Sequence, residues 1–338
     1  MNLNGKSILI TGGTGSFGQA FVKYVLENYP DVRKLAIYSR DELKQFDMSE
    51  KFNEKNYPAI RYYLGDVRDL QRLKFALEDI DIVIHAAALK QVPAAEYNPF
   101  EFIKTNIMGA QNIVDACLST NVKKVVALST DKAAAPINLY GATKLCSDKI
   151  FSSSNFIKGN RDYSCSIVRY GNVMGSRGSV IPFFLKLRNK DELPITHKSM
   201  TRFNITLDEG IQTVMWALKN TVGGEIIVPK IPSYNILDVA KAISPNSKIN
   251  VIGIRPGEKL HEVMITETDS LLTVDYGDYY GIIPDFIWDD YLSLSNIEGV
   301  SKILEPFTYD SYNNQHYLSI DELKDLIGRV VEPYLRDK

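Results

Sequence analysis

The sequence predicts a doubly wound α/β fold: a mostly parallel sheet covered by helices on both faces, with a smaller α/β domain attached. Three observations lead there. Short apolar runs alternate with helical stretches over the first half, a glycine-spaced turn joins the first run to the first helix, and near residue 171 the rhythm changes to shorter elements with more Gly and Pro. The runs Ser7–Thr11, Lys34–Ser39, Ile60–Asp66, Asp81–Ala87, Lys124–Ser129 and Cys165–Tyr170 are largely apolar. That pattern suits parallel strands buried on both faces. Helices are expected over Ser16–Asn28, Glu42–Phe52, Leu70–Glu78, Pro99–Ser119 and from about Tyr140. Such alternation builds right-handed βαβ units.

Beyond residue 171, Leu207–Leu218 is expected as an amphipathic helix and Glu225–Val228 as a strand returning to the main sheet. Ile236–Ile243 and His261–Ile265 read as helices of the small domain, with a strand over Asn250–Ile254 between them. Ser319 followed by Glu322 has the spacing of a capping box and opens a terminal helix over Ser319–Arg336. The expected division is 1–171 as a dinucleotide-binding domain, its sheet completed by part of 203–230, and 172–338 as mainly a substrate-binding domain with the C-terminal helix.

Composition narrows the class. With 45% apolar and 24% charged residues the chain is an ordinary globular protein, and its net charge of -2 argues against a nucleic-acid partner. Cys117, Cys146 and Cys165 stand apart without a CxxC pair or a histidine at ligand spacing, so neither a metal site nor a disulfide framework is expected. No signal-peptide pattern precedes SILIT and no apolar run is long enough to cross a bilayer. A cytoplasmic location without membrane partners is expected.

The turn Thr11-Gly12-Gly13-Thr14-Gly15-Ser16-Phe17-Gly18 lies between a strand and a helix. Glycines there allow a tight turn and close approach of a pyrophosphate, while the helix N-terminus offers N–H groups and positive dipole. This is the Rossmann arrangement, and it predicts a bound dinucleotide. The second strand ends in Ser39-Arg40 rather than an acidic residue, and with Lys44 nearby this favours the 2′-phosphate of NADP. Asp41 suits a helix N-cap. Asp66 and Val67 after the third strand are placed to flank the adenine, and the small Ala86–Ala88 after the fourth let the cofactor lie close.

Tyr140 and Lys144, four apart, face the same way on a helix. A Lys ammonium favours the phenolate and brings Tyr140 towards a usable range for proton transfer, and Lys144 can also hold the nicotinamide ribose. Thr130, ending the fifth strand, is placed to bond a sugar oxygen. Asp131 and Lys132 follow at the sheet's carboxyl edge, where a base and an acid are at hand. A lysine base must be neutral, and positive charge from Lys144 is expected to lower the pKa of Lys132.

The glycine turn, Asn106, Ser129-Thr130 and Tyr140/Lys144 together resemble the extended short-chain dehydrogenases that act on nucleotide sugars. More closely, STDKA (Ser129–Ala133), LYGATK (Leu139–Lys144), RYGNVMGSRGSVIPFF (Arg169–Phe184), MTRF (Met200–Phe203) and RPGEKLHEVMI (Arg255–Ile265) resemble the inverting UDP-N-acetylglucosamine 4,6-dehydratases that open pseudaminic acid biosynthesis. Two departures are Gln91, where that family's pattern has His, and Asn204, where an aromatic is usual. The resemblance implies oxidation at sugar C4 with Tyr140 as base, loss of water across C5 and C6, and hydride return to C6. Retaining dehydratases carry Asp-Glu where Asp131-Lys132 stand, so Lys132 points to inversion at C5. It also implies Asn106 at the cofactor site and UDP-N-acetylglucosamine as substrate. Lys90, Asn172, Arg177, Ser179, Arg202, Arg255 and Glu258 are then the substrate candidates, with Arg177 and Arg255 for the diphosphate and Glu258 for a ribose hydroxyl. A homo-oligomer is expected, a dimer through the helices at Pro99–Ser119 and Tyr140–Phe151 or a hexamer, with surface or flagellin glycans as the destination of the product. A retaining dehydratase, a UDP-sugar 4-epimerase and a non-catalytic NADP-binding regulator are the alternatives.

Overall fold

The computed structural model describes residues 1–331 except 177, 295, 296 and 298. Its strands are β1 Ser7–Thr11, β2 Lys34–Ser39, β3 Ile60–Leu64, β4 Ile82–His85, β5 Lys124–Thr130, β6 Ser164–Tyr170, β7 Asn172–Val173, β8 Glu192–Ile195, β9 Thr201–Ile205, β10 Ile226–Pro229, β11 Ser233–Asn235, β12 Lys248–Val251, β13 Val263–Ile265, β14 Thr273–Asp275, β15 Tyr279–Ile282, β16 Ser301–Lys302 and β17 Tyr309–Asp310. Ten of them form one sheet in the order β16-β14-β15-β10-β6-β5-β4-β1-β2-β3. From β3 to β10 every pairing is parallel. Their near-total burial explains the continuous apolar runs: Ile8, Leu9, Ile10, Leu35, Ile37, Val83, Ile84 and Val168 are all inaccessible to solvent.

Register places the site. Thr11 stands opposite both Tyr38 and His85, and Thr130 opposite Tyr170. The carboxyl ends of β1, β2 and β4 are therefore level, as are those of β5 and β6, and the loops leaving them converge on one edge. The strand order runs outward from β1 in both directions, which opens the crevice where such sheets bind ligands.

At four points the structure departs from, or adds to, the expected elements. His261–Ile265 is not helical: Val263–Ile265 pairs antiparallel with Tyr309–Asp310. Its backbone bonds go across the chain instead, with Glu262 N–H donating to Ser311 Oγ and Ser311 N–H to Glu262 O. The helix over Pro99–Ser119 is interrupted by a π turn at Ile103–Met108, between α-helical Pro99–Phe102 and Gly109–Leu118. The edge beyond β10 also holds an antiparallel hairpin, β14 and β15, turning at Gly277 with φ +85°. Its short strands between Asp and Gly residues carry little periodic signal. Fourth, the terminal helix covers Ile320–Leu326, opened by the Ser319/Glu322 capping box, and passes into a π turn at Ile327–Val331; residues 332–336 of the expected helix lie outside the described residues.

The second cluster of apolar residues gathers Phe184, Leu193, Ile195, Tyr234, Val239 and Leu323 beside the main sheet. Among the described residues no helix is long and apolar enough to cross a membrane, and no group of His, Cys, Asp or Glu is arranged to hold a metal ion.

The helix Ser16–Asn28 docks through Gly18, where an added Cβ would lie 2.4 Å from Gly13 O, a backbone atom that cannot swing away. Gly18→Ala is expected to cost about 1–3 kcal/mol through this clash. At about 2–4 °C per kcal/mol the melting temperature should fall by at least about 2 °C. Gly328→Ala, with no atom within 4 Å of the added carbon, should not lower it. Equal melting points for both variants in differential scanning fluorimetry would contradict the packing argument.

Candidate active site

The loops at the sheet edge enclose a cleft of about 650 Å³. Gly12 has φ +66°, and a Cβ there would sit 2.9 Å from the Ala87 backbone. The chain after β4 thus closes on the glycine turn in a way only glycine permits. Thr11 Oγ1 fixes that approach by accepting from the Ala86 and Ala87 N–H groups at 3.2 and 3.3 Å. The same hydroxyl lies 2.9 Å from His85 Nδ1. Burial, reinforced by the charge of Lys144, drives the His85 pKa down to about 3, so the ring is neutral. A shallow backbone cradle at a helix N-terminus fits a dinucleotide pyrophosphate.

Gly12, Thr14, Gly15, Ser16, Phe17, Gly18, Ser39, Arg40, Lys44, Asp66, Val67, Ala86, Lys90, Tyr140 and Lys144 all line this cleft, as do Thr130, Lys132, Asn172 and Ser179. The half-exposed Arg40 guanidinium lies 3.9 Å from Asp66. Asp41 caps the helix at Glu42–Lys51, accepting from Lys44 N–H, and also holds Lys44 Nζ at 2.6 Å. Asn172 Oδ1 and Ser179 Oγ are buried without a hydrogen-bond partner, which a polar ligand in the cleft would satisfy.

Asn106 stands behind the wall. The π turn places its side chain to accept from Leu89 N–H and donate to Leu89 O, both at 2.9 Å, and to donate to Thr143 Oγ1 at 3.0 Å. It clamps the loop after β4 to the helix Leu139–Ile157, as π turns at functional positions often do. Asn106 does not itself line the cleft.

On the opposite wall, Asn138 caps the helix Leu139–Ile157 by accepting from Gly141 N–H at 2.8 Å. Gly141 is needed because a Cβ there would fall 2.2 Å from Lys132 O. This contact packs the turn at Asp131–Ala133 onto the helix that carries Tyr140 and Lys144. Lys144 Nζ donates to Leu128 O at 2.8 Å, and burial lowers its pKa, partly offset by Asp148. Burial raises the Tyr140 phenol to about 12, and the cation opposing that rise is Lys132. The expectation that Lys144 plays this part is thus corrected: its ammonium is directed to the β5 backbone.

Asp131 is wholly inaccessible and does not reach the cleft. Its Oδ1 accepts from Thr130 Oγ1 and from Lys132 Nζ, each at 2.9 Å, while Oδ2 has no partner. Burial raises its pKa against the pull of Lys132. Lys132 Nζ is also 3.2 Å from Glu262 Oε1. Burial alone would lower the Lys132 pKa, but Asp131 and Glu262 outweigh it and hold the ammonium well above its usual range. The expected neutralising influence of Lys144 is therefore overturned here by two adjacent carboxylates. The Thr130 hydroxyl, expected to face a sugar oxygen, donates to Asp131.

Three substrate candidates lie outside the cleft lining. Arg202 is buried, with Nη1 donating to Thr201 O at 2.7 Å and to Leu260 O at 3.2 Å and Nε 3.6 Å from Glu262 Oε1. Expected as a substrate contact, it meets an internal carboxylate in the fold. Arg255 and Glu258 pair with each other at 2.6 Å. Arg177 is outside the described residues. Asn204 is also buried away from the cleft. Sequence reasoning missed Thr105, a cleft residue whose buried hydroxyl has no partner, and Glu262, the second carboxylate on Lys132. Thr105 has no local signal, and Glu262 only a place in the RPGEKLHEVMI segment.

The sheet, its glycine cradle and the Tyr140/Lys144 helix facing it define an extended short-chain dehydrogenase fold. The chain belongs to the polysaccharide biosynthesis protein family, whose model matches residues 8–284. Over 331 residues it is 54% identical to the UDP-N-acetylglucosamine 4,6-dehydratase (inverting) of Campylobacter jejuni subsp. jejuni serotype O:23/36, covering 96% of this chain and 98% of that protein. It is 39% identical to the UDP-glucose 4-epimerase of Rickettsia canadensis, covering 95% of each. Among solved structures, Pen from Bacillus thuringiensis matches with a TM-score of 0.87 and 37% identity over 97% of this chain and 98% of that one.

Removing the Asn106 amide leaves buried backbone groups of Leu89 unpaired. Asn106→Ala should lose about 1–3 kcal/mol of stability for that reason. It should also weaken dinucleotide binding, because the Ala86–Lys90 wall is released. Unchanged melting temperature and dinucleotide affinity would remove Asn106 from the site.

Proposed function

We propose that this chain is a UDP-N-acetylglucosamine 4,6-dehydratase that inverts C5, giving UDP-2-acetamido-2,6-dideoxy-β-L-arabino-hex-4-ulose, with NADP as its dinucleotide. The observation that carries this is Lys132 on the cleft wall beside Tyr140, backed at 2.9 Å by the sealed Asp131 carboxylate. The identity to the inverting dehydratase of Campylobacter jejuni supports the same reading. A 4-epimerase, the name of the Rickettsia relative, needs a base at the 4-hydroxyl but no proton-exchanging pair beside C5.

When bound, the nicotinamide supplies hydride acceptance from C4 and hydride return at C6. Tyr140 takes the proton of the 4-hydroxyl, and the resulting 4-ketone acidifies C5–H. Lys132 hands its ammonium proton to Asp131, to which its Nζ donates at 2.9 Å, and the free amine takes the C5 proton. Asp131 and Lys132 then hold two exchangeable protons, both delivered through Lys132, the member of the pair that lines the cleft: one leaves with the 6-hydroxyl as water, and the other returns to C5 on the opposite face. Residues 1–171 act mainly as the cofactor-binding part and 172–338 as the substrate-binding part. The product fits pseudaminic acid synthesis for flagellin or surface glycans in the cytoplasm. A homo-oligomer through the helices at 99–118 and 139–157 is supported by the exposed Phe100 and Met108.

Arg40 at the end of β2 is the basis for NADP. Arg40→Ala should weaken NADP binding by about 1.5–3 kcal/mol, the value of a charge-assisted contact, and leave NAD binding nearly unchanged. Equal losses for the two would reject the assignment. The reaction itself is tested in D₂O with UDP-N-acetylglucosamine and NMR detection. Wild type should give the L-arabino product deuterated at C5, and Lys132→Ala should bind NADP normally while losing turnover by about 10²–10⁴-fold. A D-xylo product would overturn inversion, and near-normal turnover in Lys132→Ala would move the base elsewhere.

A further inference from the structure

Glu262 enters the site from a distant part of the chain. Its Oε1 is 3.2 Å from Lys132 Nζ and 3.6 Å from Arg202 Nε, its Oε2 has no partner, and its side chain is almost fully buried. Its backbone is held independently of that charge, through the mutual bonds with Ser311. Arg202 is itself pinned to Thr201 O and Leu260 O. A carboxylate so fixed is not a ligand for a cleft it does not line.

We infer that Glu262, clamped by Arg202, is a positioning residue that aims the Lys132 amine and sets the pH at which it becomes a base. This rests on the reading of Lys132 as the C5 base. The groups facing Lys132 come from every element around it: Asp131 on its own turn, Tyr140 from the adjoining helix, Arg202 from β9, Tyr234 from β11, and Lys259 and Glu262 from the segment before β13. Asp131 and Glu262 favour the ammonium; Arg202 disfavours it. Lys259 Nζ is directed to Ala134 O, and its charge, like that of Arg202, is drawn to the two carboxylates. Asp131 receives the proton in the reaction, whereas the Glu262 pKa is held low by Lys132 and then Arg202 against its burial. Arg202, 3.6 Å away, stays charged when Lys132 is neutral, so Glu262 is assigned the field and not the proton transfer.

The sign follows directly. A carboxylate beside an ammonium raises the ammonium's pKa, so removing Glu262's charge lets the Asp131–Lys132 pair release its proton at lower pH. The measurement is the rate of C5–H exchange for deuterium against pH, in the NADP-loaded enzyme with substrate. In Glu262→Gln the half-point of the alkaline rise should move down by about 1–3 pH units, the usual effect of one adjacent opposite charge. Glu262→Asp, which keeps the charge on a shorter stem, should keep the half-point within about half a unit of wild type and lower the plateau. Arg202→Gln should move the half-point up. The positions of these half-points do not depend on how much folded enzyme each preparation contains, and NADP binding confirms that what is measured is folded. A half-point unchanged in both Glu262→Gln and Arg202→Gln, or shifted equally by Gln and Asp at 262, would overturn the inference. Lys132→Ala separates the two readings: wild-type exchange in that variant refutes Lys132 as the base, whereas loss of exchange there with an immobile half-point in Glu262→Gln refutes only the role of Glu262.

Discussion

Lys132 is held between two buried carboxylates, Asp131 and Glu262, and the active form of the site depends on that enclosure. Taking ions out of water costs several kcal/mol each unless partners and geometry compensate. Here the compensation is shared among residues from separate elements: Asp131 and Lys132 just beyond β5, Arg202 in β9 and Glu262 just before β13. Each of these charges has an opposite charge within 4 Å in the folded chain. The cluster thus couples the edge of the main sheet to the segments packed against it, and the chemistry is complete only when the whole chain has folded.

The cofactor end follows a different physics. Nothing there needs a buried charge, because the cradle is made of backbone. The level carboxyl ends of β1, β2 and β4 bring the glycine turn, Arg40 and the Ala86–Ala88 segment together by register alone. Thr11 joins two of the three by accepting from Ala86 and Ala87. This half of the site is rigid and assembled by the sheet. The half that exchanges protons is assembled by side chains.

That difference decides what was legible in the sequence. The parallel core and many of the cleft residues up to Lys144, though not Thr105, were readable because strand burial, glycine spacing and an i, i+4 pair are local signals. Arg202 and Glu262 were not, because their meaning lies in each other: Arg202 reads as a substrate contact until a buried carboxylate is found 3.6 Å from it. The interrupted helix at Ile103–Met108 was missed for a similar reason. Its apolar pattern is helical, but Asn106 is drawn into bonds with Leu89 and Thr143 that an undisturbed helix carries no sign of. His261–Ile265 failed because Ser311 captures the backbone groups that a helix would have used.

The electrostatics also order the proposed steps. Burial holds the Tyr140 phenol near 12, and Lys132 is the cation that counters it. Lys132, while still an ammonium, thus favours the phenolate form in which Tyr140 accepts the 4-hydroxyl proton. Lys132 can attack C5–H only after losing that same charge to Asp131. One lysine therefore serves two half-reactions in two protonation states, and the first state favours the first step. Oxidation at C4 is promoted while C5 is protected from a premature base, and C5–H becomes acidic only once the ketone exists. An ionised glutamate in place of Lys132 would oppose the phenolate, so in the proposed mechanism the residue assigned the outcome at C5 also decides how the first step is driven.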